Sequence, residues 1–537
     1  MKRNTTLLIA AAALACSDAS APDQPTAASF SIRPAVDTAA IGDSVFFTAE
    51  RADSTVDEWV VSDTTVRLVV QQRGSAVVLG DVSGTFTITA RRGAASGHAT
   101  LVILPPAPVP FSIQPAIDTA DIGQRIWLRA AGGGVVEWVL SDTSGARFLE
   151  QGNSSAAVLA RKPGTVTVIA RRQSDSAQAM LVIPQDDTPT DWEAIELPGP
   201  PHAINDSGAV VGVLTANWNY STHGGFIYKD GVTRTLPTWS DCDRPEAIGP
   251  SGAIAGVEQC AGERQLLAWD SAGAVPRLLS DARDPVIIGV NARGDILTNF
   301  GDMLATVRAV MWRNDVPHDL GHLNGSVPKP RTRASAWNSR GQIVGMSNVV
   351  QVWANTDRHD FFRPFLWEDG VMRDLGVLAP TPCGYGFAIT DCSWAVATGI
   401  NADGVVVGSS TDAEGRTRAF IWEHGVMRDL GVFPGRWTSA VAINDRGQIL
   451  GTVDGNTAFV WDDGQVQTIE GPELDVRALS PNGEVIGTTG GWQAPIAFVW
   501  QAGQMTTLGP GDPTAINGRS EIIGTRGYLP TLWRKQR

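Results

Sequence analysis

Apolar and polar residues alternate in short runs along most of this chain, and glycine, proline, asparagine or aspartate closes most of the runs. "GTFTITARR" (Gly84–Arg92) and "AFIWEHGVMRDLG" (419–431) show the pattern. A period of two puts successive side chains on opposite faces of a strand. The chain therefore reads as many short, half-buried strands joined by tight turns, an all-β fold.

The first third is duplicated. "FSIRPAVDTAAIGD" (30–43) returns as "FSIQPAIDTADIGQ" (111–124), "EWVVSDT" (58–64) as "EWVLSDT" (137–143), and "GTFTITARR" as "GTVTVIARR" (Gly164–Arg172). Each copy holds one central tryptophan, Trp59 or Trp138, and no cysteine, so apolar burial alone must hold each core. Short alternating strands around one tryptophan predict two Ig-like sandwiches, residues 29–104 and 110–184. The motif order resembles the bacterial Ig-like group 2 domain. "LPPAPVP" (104–110) between the copies reads as a stiff spacer.

The remainder, residues 190–537, repeats a longer unit. Eight hairpin strings recur, among them "AINDSGAVVG" (203–212), "AWNSRGQIVG" (336–345), "AINDRGQILG" (442–451) and "AINGRSEIIG" (515–524). An aromatic follows each in a third strand: Tyr228, Trp269, Trp312, Trp367, Trp422, Trp461, Trp500 and Trp533. A turn such as "EDG", "EHG" or "DDG" then opens a fourth strand. Four strands in roughly 40–45 residues is the period of a propeller blade. The eighth unit ends four residues after Trp533, without a fourth strand, while "DWEAIELPG" (191–199) upstream matches the missing one. A ring closed by its N-terminal strand has no open sheet edge. Eight blades are favoured, seven if one degenerate unit is a loop. The strings resemble the HAF repeat family, a group of extracellular repeat proteins, most specifically in units four to seven. Gly249, Thr298 and Ser520 depart from its pattern. The resemblance implies architecture and location, and no catalytic residue is carried over.

The N-terminus, "MKRNTTLLIAAAALAC", has the positive start and short apolar run of a signal peptide over residues 1–15. Cys16 stands where a lipoprotein would be lipidated, although Ala13 replaces the usual larger apolar residue, so simple cleavage is the alternative. Residues 16–28 then form a flexible tether. The expected place is the cell envelope, as an outer-membrane lipoprotein or an extracellular protein. Cys242, Cys260, Cys383 and Cys392 remain, an even number that suits disulfides after export. Cys242 and Cys260 flank the 249–252 turn symmetrically and pair as hairpin neighbours, which leaves Cys383–Cys392. Neither pair has zinc spacing. In "HDLGH" (318–322) the two histidines lie ~13 Å apart along a strand, so no metal is expected. The net charge of −14, with no basic run, argues against nucleic acid.

No catalytic motif stands in the chain. The recurring Asn205, Asn338, Asn401, Asn444 and Asn517 read as turn residues, and Asp319, Asp374 and Asp429 as parts of the fourth strand. Loop length is more informative. With blade strands labelled a to d, the a–b and c–d turns stay short, while the b–c and d–a connections vary. Those two kinds emerge on the same side of the ring. The elaborated side gathers Trp218, Tyr220, Trp239, Trp353, Arg358, Tyr385, Trp394 and Trp437. Aromatic and arginine side chains dominate binding hot spots. The function expected is therefore recognition of, or adhesion to, a glycan or protein, without a cofactor and without catalysis. The alternatives are a polysaccharide-active enzyme in the propeller channel and a purely structural envelope protein.

Overall fold

The computed structural model describes residues 30–50, 56–72, 74–106, 110–186, 188–215, 222–240, 242–259, 264–270, 274–280, 284–301, 307–323, 330–354, 357–380, 393–455 and 457–536. All regular elements among these residues are strands. Two compact units are present, Met1–Pro110 and Phe111–Arg537.

In the first unit, Ser31–Arg33, Ser44–Glu50, Ser75–Gly80 and Val66–Gln72 form one sheet. Val36–Ala40, Ala95–Leu104, Gly84–Arg92 and Glu58–Val61 form the other. Inward residues of both, including Phe47, Trp59, Val78, Ile88 and Leu101, make one apolar core. The second unit opens with the same arrangement, from Ser112–Gln114 to Asp175–Ile183, around Leu128, Trp138, Val158 and Leu181. The Trp138 indole N–H donates to the Gly152 carbonyl at 3.1 Å, so its polar edge is satisfied.

Eight four-stranded sheets follow, here called blades I to VIII. Their a strands are Pro201–Ile204, Asp243–Ile248, Val286–Val290, Thr332–Trp337, Ala395–Ile400, Thr438–Ile443, Asp475–Leu479 and Asp512–Ile516. Each a strand packs on the next around the ring, and the last packs on the first, so the a strands are innermost. Blade VIII takes its fourth strand from Trp192–Glu196, with Ala194 paired to Trp533. This is the closure expected from the unfinished eighth unit, and it removes the seven-blade alternative.

Every a strand carries a β-bulge at the same place. The ladder to strand b skips His202, Glu246, Ile288, Ser335, Thr398, Val441, Arg477 and Thr514 in blades I to VIII. The bulge brings a backbone carbonyl towards strand b, which explains the glycine that ends most hairpin strings. A Cβ on Gly345 would lie 2.0 Å from the Arg333 carbonyl oxygen, and one on Gly408 2.0 Å from that of Val396. In five blades the same glycine faces a fully buried phenylalanine: Phe226, Phe365, Phe420, Phe459 or Phe498. In blade III, Thr298 replaces the glycine and faces the smaller Val310, and its hydroxyl accepts the Trp312 indole N–H at 3.1 Å.

Trp422, like Trp461, is half-buried, because Phe420 fills the interior of that blade. Ile343–Ala354 and Asp357–Glu368 form one long hairpin, whose ladder runs out to Ala354↔Asp357. Its alternating "VVQVW" and "FF" segments pair as strands despite the polar residues at the tip.

Candidate functional site

The short-turn side of the ring is occupied by its own bonding. In each Asn turn the side-chain oxygen accepts two backbone N–H groups, as Asn444 does from Arg446 and Gln448. The amide nitrogen of four of them crosses to the next blade: Asn205 to Gly249, Asn338 to Asn401, Asn444 to Ser480 and Asn517 to Asn205. Ser480 does the capping in blade VII. The c–d turns have positive φ at both central residues, for example 48° at Asp369 and 86° at Gly370. Asp319, Asp374 and Asp429 cap the start of the following connection by accepting the N–H of Gly321, Gly376 and Gly431. The repeated polar residues thus build the ring.

The opposite side carries the exposed aromatics. Trp239, in the connection from blade I to II, is 56% exposed, and Trp437, between blades V and VI, is 55% exposed. Both rest on buried anchors. Fully buried Asp243 accepts the backbone N–H groups of Trp239 and Ser240. Beneath Trp437, the buried Arg418 guanidinium donates to the carbonyls of Val432 at 2.8 Å, Phe433 at 3.2 Å and Arg436, and ion-pairs Asp429 at 2.9 Å. Asp454 accepts the Trp437 N–H at 3.0 Å and pairs with Arg436. That hydrogen-bonded guanidinium holds the Asp454 carboxyl below its usual range.

Trp394 is half-buried, with its N–H on the Thr411 hydroxyl at 3.2 Å. The long hairpin pairs Trp353 directly with Arg358 near its tip. The side chains of those two residues, and Trp218, Tyr220, Tyr385, Cys16, Cys260, Cys383 and Cys392, lie outside the described residues. Cys242 is disulfide-bonded. The blade II ladder ends with Asp243 against Glu258. Trp492, in the b–c turn of blade VII, is 85% exposed on the same side. Its only sequence signal is a lone tryptophan after "TTGG" in a short connection. The described aromatics stand on separate blades around the rim.

The innermost strands carry charge. Glu246 pairs with Arg264, while Asp475 and Asp512, on adjacent a strands, both lie within ion-pair distance of Arg477, at 3.0 and 3.6 Å. The His202 Nδ1 donates to the Pro245 carbonyl of the next blade at 2.8 Å, and burial lowers its pKa. No metal-binding group of three or more ligands occurs among the described residues.

The second sandwich packs against this same side of the ring. The b–c turn of blade VIII reaches into it, and Leu529 is part of the sandwich core. The Tyr528 N–H donates to the Gly123 carbonyl at 2.7 Å, and Arg526, 3% exposed, pairs with Asp186 at 2.7 Å. Arg161 pairs with Glu196 at 2.8 Å, and the Arg125 guanidinium lies 4.7 Å from the centre of the Tyr528 ring.

No family model and no curated protein matches the chain. Among solved structures it is similar to "YCF48 bound to D1 peptide", at 15% identity and a TM-score of 0.32, over 65% of this chain and 98% of that one. It is also similar to TolB from Acinetobacter baumannii, at 12% identity and a TM-score of 0.29, over 74% and 80%. For domains 4 and 5 of the S-layer protein SbsC the values are 14% and 0.16, over 26% and 82%. Likenesses of this strength transfer no function.

Proposed function

We propose that this is an exported protein, anchored through lipid on Cys16, whose eight-bladed propeller recognises a glycan or a surface protein with its loop-rich side. In this reading the two sandwiches are Ig-like domains and the ring is a HAF-repeat propeller. The observation that carries it is the division of labour between the two sides. One is consumed by hydrogen bonds between blades, and the other holds exposed tryptophans on buried polar anchors. An exposed indole on a fixed backbone offers large contact area at little ordering cost, as binding surfaces require.

The test compares the purified chain with a Trp239→Ala/Trp437→Ala/Trp492→Ala variant on a glycan array and against isolated envelope proteins. Loss of binding with an unchanged unfolding midpoint supports recognition by this face. Equal binding removes it. Mass measurement of the mature N-terminus decides between lipidation at Cys16 and simple cleavage. The carboxylates Asp475 and Asp512, brought together on Arg477, favour one second reading, glycan cleavage at the inner strands. Release of reducing ends from polysaccharide, abolished by Asp512→Asn, would establish it.

A further inference from the structure

We propose that the cleft between blades V and VI on the loop-rich side is a subsite for one sugar ring of a neutral glycan, with Trp437 as its stacking surface. This rests on the reading that this side binds a ligand, and it names the ligand's class. The cavity measures about 520 Å³ and is lined by Thr417, Trp437, Ser439, Thr452, Asp454 and Gly455. Volumes of this size hold small ligands or one segment of a polymer.

Its lining divides into two chemistries. One wall is the exposed indole. The rest carries the Asp454 carboxylate, Gly455 and three hydroxyls: Ser439 and Thr452 are cross-strand partners, so both project from the same face of the sheet, and Thr417 begins strand c of blade V. No hydrogen bond within the chain occupies the hydroxyls of Thr417, Ser439 or Thr452 among the described residues. Neighbouring polar groups are otherwise committed, since Thr438 accepts the Ala419 N–H and Arg418 holds three carbonyls.

A pyranose ring presents the complementary surface. Its C–H face is flat and apolar and suits an indole, while its edge hydroxyls need donors and acceptors that replace water. A peptide anchor would need a pocket apolar throughout, whereas the lining here sets three hydroxyls and the Asp454 carboxylate beside the indole. An anionic sugar would need an uncommitted cation, and Arg436 is taken by Asp454. The Arg418 clamp holds the 432–437 connection in place before any ligand arrives, which lowers the ordering cost of binding.

The experiment titrates the full-length protein with hexamers of β-glucan, α-mannan and chitin, read by tryptophan fluorescence and calorimetry. At least one hexamer is expected to bind. Trp437→Ala should weaken it tenfold or more, and Ser439→Ala/Thr452→Val several-fold. Val316→Ala, on the exposed outer strand of blade III, should leave it unchanged, and unfolding midpoints confirm that each variant folds. A hexamer that binds Trp437→Ala as tightly as wild type overturns the subsite. If Trp239→Ala or Trp492→Ala then weakens binding, recognition by this side survives; if no face variant weakens it, both readings fall. Absence of binding by any hexamer, alongside a purified protein ligand lost on the triple tryptophan variant, overturns the sugar assignment alone.

Discussion

At the scale of single residues, the repeat is governed by one crowded point per blade. Gly451 sits where the bulged strand a sends in the Ser439 carbonyl and strand c sends in the Phe459 ring. A Cβ there would lie 2.7 Å from the first and 2.3 Å from the second. Phe459 is fully buried and has no room to withdraw, so Gly451→Ala is expected to cost about 2–3 kcal/mol, read from denaturant midpoints. Gly464→Ala, in a c–d turn with φ of 84° and open space around it, should cost only ~1 kcal/mol of backbone strain. His202 adds a pH dependence. Burial lowers its folded pKa, against which the Pro245 hydrogen bond acts, with Arg244 and Glu246 its charged neighbours. The unfolded chain therefore takes up this proton first. Its contribution is complete above the unfolded pKa of ~6.5 and is lost as pH falls from there towards the lower folded value. Unfolding midpoints at pH 7.5 and 5.5 should differ less in His202→Gln than in wild type.

At the scale of the blade, the turn asparagines join neighbours as well as shaping their own hairpins. Asn517 caps Arg519 and Glu521 in its turn and donates to the Asn205 carbonyl, bonding the last blade to the first. Asn291 caps its turn in the same way, but its amide stays on Asp295. Asn517→Ala should therefore cost about 1 kcal/mol more than Asn291→Ala, the worth of one inter-blade hydrogen bond. Thermal midpoints of the two variants measure the difference. These elements were legible because each blade must make the same turn and bury the same strand, so the constraint is written eight times. The missing fourth strand of the eighth unit was legible for the same reason. The bulge was not, since one skipped residue changes no local pattern. The length of the 343–368 hairpin was not legible, because polar residues at its tip interrupt the alternation. Trp239 and Trp437 were found through loop-length variation, while Trp492 stands in a connection too short to attract notice.

At the scale of the molecule, the second sandwich and the ring are one body, and this changes what the loop-rich side offers. Arg526 and Leu529, which flank the b–c turn of blade VIII, are buried against the sandwich, so the loop-rich side left open is chiefly that of blades I to VII. The contact was illegible in the sequence because it joins two ordinary turn glycines some 400 residues apart. A Cβ on Gly123 would lie 1.8 Å from the Arg526 carbonyl oxygen, and one on Gly527 2.5 Å from that of Gly123. Neither neighbour is a flexible side-chain end, so the two backbones must part if a methyl group is added. Gly123→Ala should therefore loosen the docking while leaving both cores whole. In wild type the Tyr528 N–H is held by the Gly123 carbonyl at 2.7 Å, and amide hydrogen exchange should find it protected. In Gly123→Ala, exchange across residues 526–529 should quicken at least tenfold, with the inner strand of blade IV unaffected. Unchanged protection at Tyr528 would mean that the ion pairs Arg526–Asp186 and Arg161–Glu196 suffice to hold the sandwich. Because docking covers blade VIII but not the Trp437 cleft, the variant should bind ligand at that cleft as wild type does. Altered binding would instead place the sandwich in the recognition surface.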